Sequence, residues 1–304
     1  MTYDGLIVGL GNPGTKYWIT NGGIADYITV FATADPDAQH KGIAAFLVER
    51  GWDGVTVGHK IPKMGQRGSN TAGIHFKNVR VPKENILAPP GEGFVLAMQT
   101  FARTRPAIGA FAIGAARSAM ELAIDYAKKR QAFGTQIANF QAIQHKIADM
   151  YQKVETSRLL VWKAAWEADK DMDPTIAASI AKFYATEAAL EVANEALQIF
   201  GGYGYTKMFP IEKLLRDIRL FRIYEGTSEV QRHIVSGYAL NGYKPILPPL
   251  EDMPIHRDRD PHVEGNDSDQ TAWRCRICGH VHYGKAAPDQ CPYCFFPKKT
   301  FKRV

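Results

Sequence analysis

GIHFKNVRVPKENILAPPGEGF, residues 73–94, is where the chain changes its periodicity. Upstream lie short runs bounded by Gly, Asp or Asn: Tyr27-Ile28-Thr29-Val30-Phe31, Ile43-Ala44-Ala45-Phe46-Leu47-Val48, Gly54-Val55-Thr56-Val57 and Gly73-Ile74-His75-Phe76. β-branched and aromatic residues set between such breakers predict strands. Downstream of Pro89-Pro90-Gly91 the spacing turns helical, with Ile143, Ile147, Tyr151 and Val154 forming one apolar stripe. Asp173-Pro174 reads as an N-cap followed by proline at the first helical position, and Gly201-Gly202 as a stop, so one helix is expected over about 174–200. The chain is therefore an α+β multidomain protein. A compact β region is expected over 1–88 and a helical bundle over 89–243. A proline-rich linker of mixed charge fills 244–270, and a small metal ribbon occupies 271–304.

A length of 304 residues allows two or three domains with an ample core. With 45% hydrophobic and 22% charged residues, disorder is excluded as the main state. The longest uncharged apolar stretch, Pro106 to Ala116, is well short of the ~18 residues of a membrane span, so no span is expected. Lys and Arg outnumber Asp and Glu by 37 to 31, giving +6, but no run of five basic residues occurs. Nucleic acid is thus not an expected partner, whereas a modest surplus suits an anionic ligand carrying phosphates. The N-terminus shows no basic region followed by a long apolar core, and a cytoplasmic location is expected.

Cys275, Cys278, Cys291 and Cys294 form CxxC, twelve intervening residues and CxxC, with no cysteine before them. That spacing signals a tetrahedral metal site rather than a disulfide framework. A unit of about 34 residues buries too little apolar surface to fold unaided, so the metal must contribute much of its stability. Spacing alone leaves iron and zinc both open.

At the other end, Leu6-Ile7-Val8 precedes Gly9, Gly11 and Gly14, a GxGxxG with Asp35 where a ribose-binding acid would stand. The mechanism requires those glycines to open a helix facing a pyrophosphate. Pro13 interrupts the loop, and the following Trp18-Ile19-Thr20-Asn21-Gly22-Gly23 reads as strand and turn, so no nucleotide site is expected there. The same LIVGLGNPGTKY resembles the opening of peptidyl-tRNA hydrolase, but the histidine that family carries shortly afterwards is absent.

Six motifs in order carry a far more extensive likeness: KYWITNGGIADY (16–27), KMGQRGSNTAGIHFKNVRVPKENIL (63–87), TRP (104–106), KRQAFG (129–134), QIFGGYGY (198–205) and IYEGTSEVQR (223–232). Over about residues 15–243 the chain resembles the acyl-CoA dehydrogenases, most closely those acting on straight short- and medium-chain thioesters. The resemblance implies that 1–88 is a partial, β-barrel-like middle domain, and it implies FAD-dependent α,β-dehydrogenation of an acyl-CoA. Such a reaction needs a carboxylate base on one side of the substrate and a flavin on the other. Glu225 is implied as the base, with Gly226 permitting close approach and Thr227 expected to cap the final helix. Trp18, Ile19 and Thr20 are implied to meet the isoalloxazine. Arg130, Phe133 and Gln141 are implied to reach the diphosphate and adenosine of a neighbouring subunit's FAD, with Gln198, Gly201 and Gly202 at its adenine end. Thr227 and Glu229 complete the flavin contacts. Arg105 is implied near the thioester.

A shared FAD implies a homo-oligomer, and the family implies electron-transfer flavoprotein or another redox acceptor as partner. Ala102, Ala132 and Phe140 depart from residues common in the family, Asp, Thr and His respectively. Relatives carry on the order of a hundred residues upstream of the WIT motif. A fragment, or an enzyme assembled from two chains, is therefore expected. Residues 271–304, with Trp273, Gly279, His282, Tyr283, Pro288 and Pro292, resemble the rubredoxin-type module of rubrerythrins, implying one iron that relays single electrons. Phe295 stands where that module usually has glycine. The alternative is a structural zinc ribbon on a non-catalytic interaction subunit.

Overall fold

The computed structural model describes residues 8–9, 12–243, 271–277, 279–292 and 297–304. The expected linker, Cys278, Cys294, Phe295, and the Leu6, Ile7 and Gly11 of the GxGxxG stretch lie outside the described residues. By contact the chain divides into Met1–Gly242 and Tyr243–Val304.

The first unit opens with β1 (Val8–Gly9) and β2 (Asn12–Pro13), an antiparallel hairpin where a nucleotide-binding loop would need a helix. Asp35 accepts hydrogen bonds from the backbone N–H groups of Asp37 and Ala38, so its carboxylate closes a local turn. Then follow β3 (Thr15–Thr20), β4 (Tyr27–Thr33), β5 (Ile43–Glu49), β6 (Val55–Val57), β7 (Thr71–Phe76) and β8 (Ile86–Ala88). They pair as two antiparallel sheets, β3-β7-β6 and β4-β5-β8. The partial β domain is thus two sheets that share one core and do not close into a barrel among the described residues. Their inward faces share one core built from Val30, Phe46, Val48, Ile74 and Val81.

Helix α1 (Gly93–Lys129) runs unbroken for 37 residues through Pro106. A hairpin of β9 (Gln131–Ala132) and β10 (Thr135–Gln136) links it to α2 (Gln141–Asp169), which is followed by α3 (Thr175–Phe200). Asp173 caps α3 by accepting from the Thr175 backbone and hydroxyl at 3.0 and 2.6 Å, and Pro174 stands just before the first helical residue. Gly201, at φ 59°, ends the helix. Small residues let these helices approach closely, and Ala112, Ala116, Ala178, Ala181, Ala185 and Ala189 all lie in the shared core. Taken alone, α1 is long and apolar enough to cross a bilayer; Ile108, Ala112, Ile113, Ala116 and Met120 are buried in that core, whereas Val95 and Phe111 are exposed.

On α2 the buried stripe runs Met150, Val154, Ser157, Val161 and Ala164, with Ile143 and Ile147 partly buried against it. Tyr151, expected on it, is 57% exposed. At 100° per residue a step of eight overshoots the face by ~80° whereas seven nearly restores it, so Met150 takes the place assigned to Tyr151.

Helix α4 (Ile211–Ile218) receives the loop that follows β6. Met64 O accepts from Arg216 Nη1 at 2.8 Å, the Gln66 N–H donates to the Asp217 carboxylate, and Gln66 Nε2 donates to Asp217 O at 3.1 Å. A Cβ on Gly65 would stand 2.3 Å from the Arg216 carbonyl oxygen. Helix α5 (Ser228–Asn241) packs on α3, where Glu187 pairs with both Arg222 and Arg232.

The second unit is a three-stranded antiparallel sheet in the order β12 (Val281–Gly284), β11 (Thr271–Cys275), β13 (Phe301–Arg303). Its core is Cys275, Ala287, Cys291 and Phe301, flanked by Trp273.

Gly65→Ala forces the loop off α4 and is expected to lower unfolding stability by about 1–3 kcal/mol, read as a reduced urea midpoint. With so small a core in the second unit, Cys275→Ser should abolish metal binding and unfold that unit. Metal analysis and the indole fluorescence of Trp273 check this, while the helical circular dichroism of residues 93–241 persists.

Candidate active site

IYEGTSE turns sharply because two consecutive residues adopt left-handed backbone, Glu225 at φ 56° and Gly226 at φ 87°. For a residue with a side chain this costs on the order of 1–3 kcal/mol, so neighbouring groups must hold it. Three side chains do so through the two carbonyl oxygens. Arg105 Nε and Gln231 Nε2 donate to Glu225 O at 3.4 and 3.3 Å. Lys182 Nζ and Gln231 Nε2 donate to Gly226 O at 2.7 and 3.2 Å. Lys182 and Gln231 are fully buried, and Arg105 is 4% exposed. The Glu225 side chain is aimed separately, as its Oε2 accepts from the Thr104 hydroxyl at 2.8 Å. Thr227 caps α5 by accepting from the Val230 N–H at 3.3 Å, as its sequence position predicts. Hydrogen bonds from its own backbone N–H and from Thr227 hold the Glu229 carboxyl below the ordinary range.

Thr104, Lys182 and Gln231 were not singled out from sequence. Two of them lie inside quoted motifs, TRP and IYEGTSEVQR. Lys182 had a different signal: a lone cation on the Ala178, Ala181, Ala185, Ala189 stripe of a helix otherwise buried along that face. Burial and the nearby Arg105 lower its pKa to about 8, against the pull of Glu225, Glu187 and Glu229. Gly226 leaves room inward, since a Cβ there would meet Gln231 Nε2 at 2.3 Å.

A second group gathers at the ends of α1 and α3. Arg130, Gly201 and Gly202 border one cleft of about 510 Å³ together with Tyr126, Phe200 and Tyr203. The Arg130 guanidinium lies 5.9 Å from the Tyr203 ring centroid and has no carboxylate partner among the described residues. No atom approaches within 4 Å of a Cβ built on Gly201 or Gly202, so the backbone there faces open space. An aromatic cleft with one unpaired forked cation and bare backbone fits part of a dinucleotide carrying a diphosphate. Phe133, at the β9–β10 turn with φ 53°, is 96% exposed. Gln141 opens α2 and Gln198 lies on the last turn of α3; both side chains are exposed and outside the cleft lining.

Trp18, Ile19 and Thr20 form a third group on β3. Trp18 occupies a bulge in the β3–β7 pairing, at φ 65°, and is 71% exposed. A large indole held outward by a left-handed backbone offers a flat surface to a planar ring. Ile19 packs into the β core, and Thr20, exposed, pairs with Thr71. Among the described residues none of the three hydrogen-bonds to the other two groups.

In the second unit Cys275 and Cys291 are both fully buried in one small core. Gly279, at φ 80°, donates its N–H to Cys275 O at 2.9 Å, and the Cys275 N–H donates to His280 O at 2.8 Å. These bonds form a tight turn after Cys275, and two buried thiols, Cys275 and Cys291, in one small core fit a thiolate-bound metal.

A lysine whose folded pKa lies below its unfolded value is charged less readily when folded. The unfolded chain then binds more protons between about pH 8 and ordinary lysine values, so stability rises with pH across that window. The difference in stability between wild type and Lys182→Met is expected to carry that pH dependence. At pH 7 the variant leaves the Gly226 carbonyl short of its donor, typically worth ~1–3 kcal/mol. Urea midpoints of both proteins from pH 7 to 10 check the sign.

Comparison with known proteins agrees with this architecture. The acyl-CoA dehydrogenase middle domain matches residues 10–79, the acyl-CoA dehydrogenase C-terminal domain matches 91–239, and the rubredoxin-like domain of rubrerythrin matches 273–302. Short-chain specific acyl-CoA dehydrogenase of Bos taurus is 46% identical over 231 residues, 76% of this chain and 56% of that protein. Probable acyl-CoA dehydrogenase FadE25 of Mycobacterium tuberculosis is 45% identical over 224 residues, 73% of this chain and 58% of that protein. The structure of butyryl-CoA dehydrogenase from Megasphaera elsdenii superposes with a TM-score of 0.73 at 43% identity, covering 75% of this chain and 60% of that one. The chain thus spans less than three-fifths of the length of the curated relatives it matches. Residues 10–239 belong to the acyl-CoA dehydrogenase family through its middle and C-terminal domains, and a rubredoxin-like domain follows them.

Proposed function

We propose that this chain supplies the base and much of the flavin surface for α,β-dehydrogenation of short straight-chain acyl-CoA thioesters. The observation that carries the reading is the Glu225 carboxylate, set on a left-handed turn by three buried donors and aimed by Thr104. Glu225 takes the α-proton onto its carboxylate, a positioned base being worth ~10² to 10⁴ in rate. Gly226, where a Cβ would meet Gln231 Nε2 at 2.3 Å, lets that donor close beneath the turn that presents the carboxylate to the substrate. Arg105 faces the thioester end, although its Nε serves the turn. Bound FAD supplies the acceptor for the hydride that leaves the β-carbon.

For holding FAD, the roles fall to Trp18, Ile19 and Thr20 at the ring, Thr227 and Glu229 nearby, and Arg130, Phe133, Gln141, Gln198, Gly201 and Gly202 toward the diphosphate and adenosine. The near-complete exposure of Phe133 supports a ligand shared between subunits of a homo-oligomer. Cys275, Cys278, Cys291 and Cys294 would hold iron, which would supply single-electron transfer toward electron-transfer flavoprotein or another acceptor. The short-chain and butyryl-CoA relatives support the substrate length. A competing reading, a non-catalytic subunit with a zinc ribbon, draws on the buried thiols of the second unit, which suit zinc as well as iron.

Exchange at the α-carbon reads the base without any electron acceptor. Incubated with butyryl-CoA in heavy water and FAD, the protein is expected to incorporate deuterium at C2, with Glu225→Gln slower by at least ~10² while keeping its flavin. A colourless, zinc-containing protein with no exchange would establish the competing reading.

A further inference from the structure

The strand register of the rubredoxin-like unit sorts its side chains onto two faces. Residues directly opposite on antiparallel neighbours project to the same side. Trp273 and Cys275 therefore share the inner face with their partners His282, Arg303 and Phe301, Arg303 lying exposed at the strand's end. The outer face carries a row of Val281, Arg274 and Lys302, and beside it Tyr283 and Ala272. Val304 joins this second row, its N–H donating to Ala272 O at 2.9 Å. Arg274, Lys302, Tyr283 and Val304 are exposed, as is Arg276, which follows Cys275 in the chain.

Like charges directly opposite on a ladder are destabilising, so the fold gains nothing from Arg274 facing Lys302. Among the described residues neither has a carboxylate partner, and Lys298 with Asp289 is the unit's one ion pair. Residues 271–304 hold seven Lys and Arg against a single acid, Asp289, whereas 244–270 hold three against seven. The near-neutral balance of the C-terminal sixty residues hides a strongly basic module beside an acidic stretch.

We propose that this outer face docks an acidic electron-carrier protein. The inference rests on the electron-relay reading of the four-cysteine site. Its patch joins exposed cations to an apolar strip of Tyr283, Ala272 and Val304, the combination in which charge speeds encounter and apolar contact fixes it. Arg274 precedes Cys275 in the strand and Cys275 points to the inner face, so a partner docked on the outer face is separated from that thiol by the thickness of one strand. A single short row suits a small, transient interface better than the extended track a nucleic acid follows.

The test measures association of the full chain with an acidic flavodoxin by stopped flow at 20 and 300 mM NaCl. The on-rate is expected to fall about tenfold over that range. The double variant Arg274→Gln, Lys302→Gln should be about tenfold slower at 20 mM, match wild type at 300 mM and keep its metal content. Lys298→Gln, which removes a charge Asp289 already offsets, should stay within about twofold of wild type. A salt-independent on-rate, a double variant as fast as wild type at 20 mM, or displacement of flavodoxin by a single-stranded oligonucleotide would overturn the proposal. Metal analysis on the same samples separates the two claims: zinc in place of iron removes the relay, and the docking face then stands or falls on the association rates alone.

Discussion

Two carbonyl oxygens, those of Glu225 and Gly226, are the points on which the first unit converges. A left-handed glutamate is intrinsically unfavourable, and an exposed loop would relax it. Here α1 sends Arg105, α3 sends Lys182 and α5 sends Gln231 to the same two acceptors. Three helices that pack through small side chains thus bring three long polar ones to a single turn. Alanine packing and base placement are one design, because Lys182 reaches the turn only from a helix seated this closely.

That arrangement carries an electrostatic cost which the site itself offsets. Lys182 and Arg105 are both cations removed from water, and they repel each other. Glu225, Glu187 and Glu229 supply the compensating field, so the carboxylate read as the base also helps keep its own support charged. On the other side, the Gly65–Gln66 loop grips α4 through Asp217 and Arg216, tying the β sheets to the helix just upstream of the turn.

Much of this was legible in sequence, for local reasons. Strands bounded by glycine and asparagine announced themselves, as did the Thr227 cap and the Gly201 stop. Sheet closure was not legible, because pairing β3 with β7 joins residues more than fifty apart and no local pattern encodes it. The buried stripe of α2 was read one residue off at Tyr151, where Met150 faces the core. Glu225 stood out through its motif, whereas Lys182 looked like an ordinary helix lysine until its neighbours proved to be buried alanines. In the C-terminal region opposite charges in adjacent segments cancelled in the count, and only strand register revealed which face the cations share.

Pro106 has a further effect. Lacking an N–H, it cannot donate to the carbonyl of Ala102, so the ladder of α1 misses one rung on the very turn that bears Thr104 and Arg105. One of these residues grips the tip of the glutamate side chain and the other its main chain. Both handles on Glu225 therefore ride on the one turn of α1 whose ladder is incomplete, so a bend of the helix at that rung would shift them as a pair.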